Sequence, residues 1–258
     1  MTPTLADLEA LARGAGEILR AGADRRSKVY HKGEIDLVTD ADRDSEAYLM
    51  GEIRRRFPNH SIVAEESGGM PGSPCCTWYL DPLDGTVNYA HGVPLFAVSI
   101  GYAEEGQMRL GVVYNPVHEE MYTAGRGRGA WLNGEPIHIS DAQVLDQSLL
   151  VTGFPYDIRT NPNNNLDLYV RFSLCSMGVR RLGSAALDLC YLAAGRIDGF
   201  WEITLKPWDL AAGGLIAEAA GATVTTLDGR PDYMSEPISV LAATPPVHAQ
   251  MLSVIRGA

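Results

Sequence analysis

Cysteine is scarce and unpatterned in this chain. There are four in 258 residues (Cys75, Cys76, Cys175 and Cys190), with no CxxC pair and no Cys/His spacing of a zinc site. That excludes a dense disulfide framework, and the thiols read as buried or incidental. Long apolar runs are missing as well. From Leu5 to Ala23 apolar residues recur at helical spacing, but Asp7, Glu9, Arg13, Glu17 and Arg20 interrupt them. The stretch is therefore neither a signal peptide nor a membrane span, and a cytoplasmic protein without a membrane partner is expected. Nor is there a long basic patch. A formal net charge of −11 would repel a polyanion, so nucleic acid is not an expected partner. Internal repeats, low-complexity segments and long linkers are absent too.

What is present is enough chain for a large core. A chain of 258 residues buries about 70–75% of the surface its unfolded form exposes. The expectation is one domain of two packed halves, about 1–141 and about 142–258. Leu8, Leu11, Ala12, Ala15, Ile18 and Leu19 share one helix face after Thr4, a candidate N-cap. Thr39 caps a second predicted helix that Pro58 ends near Phe57, and Ser61 to Ala64 reads as a buried strand delivering Glu65-Glu66 to a Gly-rich loop. From Phe96 to Leu132 short strands separated by Gly, Asn and Glu predict an antiparallel meander, with Gly125 to Gly129 as a hairpin turn and not a phosphate loop. Beyond Ala142 strands and helices mix. A strand is expected at Leu149–Gly153, a helix capped by Ser184 and closed by Gly195, a strand at Gly199–Glu202, a helix opened by Pro207-Trp208-Asp209, and a last helix from Thr244.

One stretch carries chemistry. Trp78-Tyr79-Leu80 is a strand signal running into Asp81-Pro82-Leu83-Asp84-Gly85-Thr86. Two carboxylates three apart stand beside a stiff proline, a glycine free to take unusual backbone angles, and a threonine at a predicted helix start. Such oxygens suit a hard cation such as Mg²⁺. The same residues also fit an ordinary strand-to-loop turn with solvated aspartates. Asp42, Glu65 and Asp209 likewise stand where elements begin or end.

Asp81-Pro82-Leu83-Asp84-Gly85-Thr86-Val87-Asn88-Tyr89 resembles the first signature of the inositol monophosphatase family, and Trp208-Asp209-Leu210-Ala211-Ala212-Gly213 resembles its second. Supporting matches run in family order: Asp36 to Asp42, Ala64-Glu65-Glu66-Ser67, Asn133-Gly134 with Ile139-Ser140, and Arg181-Leu182-Gly183-Ser184-Ala185-Ala186-Leu187-Asp188. The resemblance implies alternating helix and sheet layers, an α+β or α/β layered fold of the sugar-phosphatase type. It also implies lithium sensitivity, a homodimer, and Mg²⁺-dependent hydrolysis of a phosphate monoester with two to three ions per site. By motif position Glu65, Asp81, the carbonyl of Leu83, Asp84 and Asp209 match metal-binding positions. Glu65 and Thr86 match the residues that orient the attacking water, with Asp42 as the threonine's acidic partner. Lys32 matches a basic position near the phosphate. Asp84, Gly85, Thr86, Gly183, Ser184, Ala185, Glu202 and Asp209 match the substrate contacts, Glu202 towards a hydroxyl. Arg180 and Arg181 are candidates to meet phosphate or ordinary surface arginines, whereas His91 has no second histidine at ligand spacing and reads as structural. No Gly-x-Ser-x-Gly elbow and no aspartyl-phosphate motif is present, so water is the expected nucleophile. The implied substrate is a small phosphorylated polyol or sugar, first of all inositol monophosphate, with fructose 1,6-bisphosphate, histidinol phosphate and nucleotide phosphates as alternatives. A non-catalytic metal- or partner-binding protein on the same fold is the remaining alternative.

Overall fold

The computed structural model describes residues 2–24, 29–31 and 37–257. In chain order the elements are α1 (Leu5–Asp24), β1 (Val29–His31), β2 (Leu37–Thr39), α2 (Asp40–Arg56), β3 (His60–Ala64), β4 (Ser73–Asp84) and α3 (Thr86–His91). Next come β5 (Ala97–Glu104), β6 (Gln107–Asn115), β7 (Glu120–Gly125), β8 (Gly129–Leu132), β9 (Glu135–Pro136), β10 (Leu149–Thr152), α4 (Leu166–Cys175) and β11 (Gly178–Arg180). The chain closes with α5 (Ala185–Ala193), β12 (Gly199–Glu202), α6 (Pro207–Ala219), β13 (Thr223–Thr225), β14 (Val240–Ala243) and α7 (Pro245–Arg256).

Local chemistry accounts for the helix starts. The Thr4 hydroxyl accepts from the Asp7 N–H and the Asp7 carboxylate accepts from the Thr4 N–H, so two orphan donors of α1 are satisfied at once. Of the predicted stripe, Leu8, Leu11, Ala12, Ala15 and Leu19 are wholly buried while Ile18, at its edge, is only half-buried, and each buried leucine contributes about 1.5–3 kcal/mol. Thr39 caps α2 as expected, accepting from the Ala41 N–H while Asp42 reaches back to the Thr39 N–H at 2.8 Å.

Seven strands form one sheet in the order β3-β4-β5-β6-β7-β8-β9, parallel only between β3 and β4. From β5 onward it is the predicted meander, with Arg126 to Arg128 as the turn between β7 and β8. A second sheet runs β11-β10-β12-β14-β13. Alternation along the strands makes the layers. Val98, Ile100 and Tyr102 of β5 pack on α1 and α2, while Ala97 and Ala103 turn to the other face and meet α5 and α6 through Ala186, Leu187, Ala211 and Ala212. The far sides of α5 and α6, with Leu189, Leu192 and Leu210, cover Phe200 of β12. Trp201, one residue on, faces Phe172 of α4 and Val247 and Met251 of α7. The result is helix, sheet, helix, sheet, helix, with α5 and α6 shared by both sheets.

Three strands of the second sheet, β11, β13 and β14, carry no reading in the sequence, whereas the equally short β10 and β12 do. The strand signal ending at Leu80 also runs further than expected, to Asp84. The parallel ladder with β3 stops at Leu80, so Pro82, with no N–H to give, has an open side there. Its carbonyl accepts instead from the Ser45 hydroxyl at 3.0 Å.

Under α2, the Trp78 indole N–H donates to His60 Nδ1 at 3.1 Å, and the imidazole stacks on Phe57 and Tyr102 at 5.2 and 5.8 Å. Burial holds the His60 pKa below 6.5. The neutral ring therefore contributes stability that is fully present above about pH 6.5 and is lost as pH falls through the depressed folded value. Urea unfolding at pH 7.5 and 5.5 is expected to show this loss in the wild type and a smaller loss in His60→Gln; equal losses would contradict the assignment.

Candidate active site

A β-bulge is the first device of the site. The β4–β5 ladder passes from Asp81↔Ser99 to Asp84↔Ala97, so three steps on β4 oppose two on β5. In a regular strand residues three apart face opposite sides. The extra residue reverses that parity, and Asp81 and Asp84 line the same cavity of about 490 Å³. Gly85 follows at φ 95°, where a Cβ would also stand 2.9 Å from the Leu95 carbonyl oxygen. Only glycine turns the chain there without strain, and it sets Thr86 at the start of α3.

Other elements deliver the remaining groups. Glu65 arrives just after β3, Asp209 in the first turn of α6, Glu202 at the end of β12, and Gly183, Ser184 and Ala185 at the start of α5; all line this cavity, as do Leu83, Gly85 and Thr86. The predicted residues from both sheets are thus brought together. Asp84 ties them: its Oδ2 accepts from the Ser184 hydroxyl at 2.6 Å and from the Ala186 N–H at 2.7 Å. Asn88 adds a second tie, donating to the carbonyls of Leu95 at 2.7 Å and Leu182 at 2.8 Å. Asp81 Oδ1 accepts from the Leu83 N–H at 3.0 Å, and Asp209 Oδ2 from the Lys206 N–H at 2.7 Å.

Asp42 is buried behind the cavity. Its Oδ1 lies 3.1 Å from the Thr86 hydroxyl, which is also 3.1 Å from the Leu83 carbonyl oxygen, so the expected pairing of threonine and acid is present. Burial pushes the Asp42 carboxyl above its usual range against the bonds from Thr39 and Thr86. Glu66 lines a different hollow from Glu65, with Glu46 and Met50, as alternation requires. Arg181 lines the cavity, whereas Arg180 is exposed and lies within bonding distance of the Val179 carbonyl. Lys32 lies outside the described residues.

The acids crowd one another. Burial pushes the Asp81 carboxyl well above the usual carboxylate range, and the charges of Glu65, Asp84 and Asp209 push it further. Asp209 is raised by burial and by Asp84, Glu65 and Glu202. Asp84 is pushed up to about 6 by burial, against the bonds from α5. Glu202 is pushed up to about 8 by burial and by Asp84, with Arg181 opposing. Buried like charges of this kind call for a cation, and their hard oxygens fit Mg²⁺. Among the described residues no three Asp, Glu, His or Cys side chains close on one point as a ready-made cage. Mg²⁺ does not need one, since it takes one or two carboxylates and keeps several waters.

Sequence reasoning missed Gly153, the Phe154 to Asp157 loop, Asp188 and Lys206, which all line the cavity. Asp188 had a signal: it stands four residues after Ser184 on one helix. Gly153 had none, because its role lies in contact with a distant strand. A Cβ on it would stand 2.2 Å from a Glu202 carboxylate oxygen. Gly153→Ala is expected to displace the Glu202 carboxylate and to destabilise the fold by about 1–3 kcal/mol; an unchanged urea midpoint would refute the contact's importance.

The model of the Inositol monophosphatase family matches residues 1–256 of the chain. An inositol-1-monophosphatase of Synechocystis is 43% identical over 243 residues, covering 91% of this chain and 84% of that protein. The Nus factor SuhB of Pseudomonas aeruginosa is 42% identical, covering 92% of this chain and 90% of its own. Among solved structures, the inositol monophosphatase of Anabaena (Nostoc) superposes with a TM-score of 0.87 at 41% identity, covering 96% of this chain and 93% of that one.

Proposed function

The chain belongs to the inositol monophosphatase family, and from that premise we propose that it hydrolyses a phosphate monoester with Mg²⁺, with inositol monophosphate as the first substrate. The observation that carries the reading is the convergence of Glu65, Asp81, Asp84 and Asp209, from three separate segments, on one cavity where burial and neighbouring acids raise the pKa of Asp81 and Asp209.

In this reading Glu65, Asp81, the Leu83 carbonyl, Asp84 and Asp209 would hold two to three Mg²⁺, which would supply neutralising charge for the phosphate and lower the pKa of a water. The protein does the rest. The N–H groups of Gly85 and Thr86, at the start of α3, would donate to phosphate oxygens. Glu65 and the Thr86 hydroxyl orient water opposite the leaving alcohol, and Asp42 fixes the threonine from behind. Ser184 and the Ala186 N–H keep Asp84 in place. Gly183 to Ala185 and Glu202 meet the alcohol. The lithium sensitivity typical of the family would follow from how firmly one ion is held.

Incubation with Mg²⁺ and a panel of inositol 1-phosphate, fructose 1,6-bisphosphate, histidinol phosphate and a nucleotide monophosphate tests the reading. Phosphate release, greatest from inositol 1-phosphate, is expected. No release from any of them would reject it in favour of a non-catalytic metal- or partner-binding role. A homodimer accords with the exposed stripe Leu166, Val170 and Leu174 on α4, and light scattering reads the mass. Among the described residues no helix is long and apolar enough to cross a membrane.

A further inference from the structure

Asp188 is the group in the cavity that the proposed hydrolysis does not use. It stands one turn into α5, on the same side as its N-cap Ser184, and both line the cavity. Its side chain is buried, with 2% exposure. Oδ1 has no hydrogen-bond partner among the described residues. Asp84 approaches the same helix start and takes both donors offered there, the Ser184 hydroxyl and the Ala186 N–H. Nothing is left for Asp188. A buried polar atom with no partner is costly, more so when charged, and calls for a group still to arrive.

The cavity has two acidic ends. The charges acting on Asp81 are those of Glu65, Asp84 and Asp209, whereas those acting on Asp188 are Glu202, Asp84 and, with opposite sign, Arg181. Asp84 joins the two ends. One end is the proposed cation and phosphate site; the other holds Asp188 and Glu202, with Gly153 bare beside the Glu202 carboxylate. Asp188 Oδ1 is unpartnered among the described residues, and it and Glu202 both line the space left for the alcohol.

We infer that Asp188 binds a hydroxyl of the leaving alcohol beside Glu202, and that the pair selects phosphate esters of polyhydroxylated alcohols over esters whose alcohol carries no further hydroxyl. The inference rests on the phosphatase reading above. A carboxylate accepts from a hydroxyl, and a carboxylic acid can also donate to its oxygen. Each pairing satisfies the orphaned atom. An alcohol without further hydroxyls leaves Asp188 Oδ1 buried and unpaired, the situation in which a polar site discriminates most strongly.

The test compares wild type, Asp188→Ala and Asp188→Asn, with Mg²⁺, on inositol 1-phosphate and on phenyl phosphate, which offers no hydroxyl. Asp188→Ala is expected to lose about 10–100-fold in kcat/KM on inositol 1-phosphate, mostly through KM, and less than about 3-fold on phenyl phosphate. Asparagine, which still bonds a hydroxyl, is expected to recover part of the loss. The thermal midpoint is expected to hold or rise in both variants, because an unpaired buried acid has been removed. Equal losses on the two esters, no loss on either, or a lowered midpoint with parallel losses would overturn the inference and leave the phosphatase reading standing. Wild-type protein inert on both esters would overturn the phosphatase reading, and this inference with it.

Discussion

Asp84→Asn is expected to lower kcat on inositol 1-phosphate by about 10²–10³-fold while the chain stays folded. The carboxylate is shared: one oxygen is fixed by the Ser184 hydroxyl and the Ala186 N–H, and its charge is felt at both ends of the cavity, by Asp81 and Asp209 and by Asp188 and Glu202. Asparagine keeps the shape and one acceptor oxygen, so the tie to α5 survives in part. What it removes is negative charge at the point where the proposed cation and phosphate meet. Single-turnover and steady-state rates, with circular dichroism as the check on folding, measure the effect. Activity within about threefold of wild type would mean that Asp84 does no more than join the two halves.

Removing divalent metal is expected to abolish phosphate release and to lower the thermal midpoint. At 100 times its dissociation constant a ligand specific to the folded state adds about 2.7 kcal/mol. In a chain of 258 residues that corresponds to roughly 5–10 °C. The physical source is the crowd of acids. Asp81 and Asp209 are raised by burial and by each other's charge or that of their neighbours, so the cation-free fold carries repulsion that bound Mg²⁺ relieves. Calorimetry in chelator, in Mg²⁺, and in sodium chloride of matched ionic strength separates binding from general screening. A shift that sodium reproduces, or that persists undiminished in Asp84→Asn, would count against a metal site at this cavity.

Much of the site was legible because its signals are local. Thr39 and Asp42 form a capping box three residues apart, and the structure has it. Asp209 falls in the first turn of α6 because Pro207 opens that helix, and Ser184 caps α5 where a hydroxyl precedes an apolar helical run. The meander could be read from glycines and asparagines between short apolar stretches. Other features had no local trace. The strands β11, β13 and β14, three or four residues long, are placed by pairing with neighbours distant in sequence and not by a pattern of their own. Asp188 looked like one more acid in a helix start. Its meaning depends on which donors Asp84 has already taken.

The residues alone determined the identity of the acids, the caps and turns that place each at an element's end, and the family motifs they spell, since all of these depend on neighbours within a few positions. Only the tertiary structure decided that Asp42, Glu65, Asp81, Asp84, Glu202 and Asp209 gather around one cavity. It also decided that a one-residue bulge turns Asp81 and Asp84 to the same side, and that Gly153 must stay bare to admit the Glu202 carboxylate. The reason is geometric: side-chain direction alternates or rotates predictably within an element, but the convergence of segments up to 167 residues apart, Asp42 to Asp209, is set by how two sheets pack on the shared helices α5 and α6.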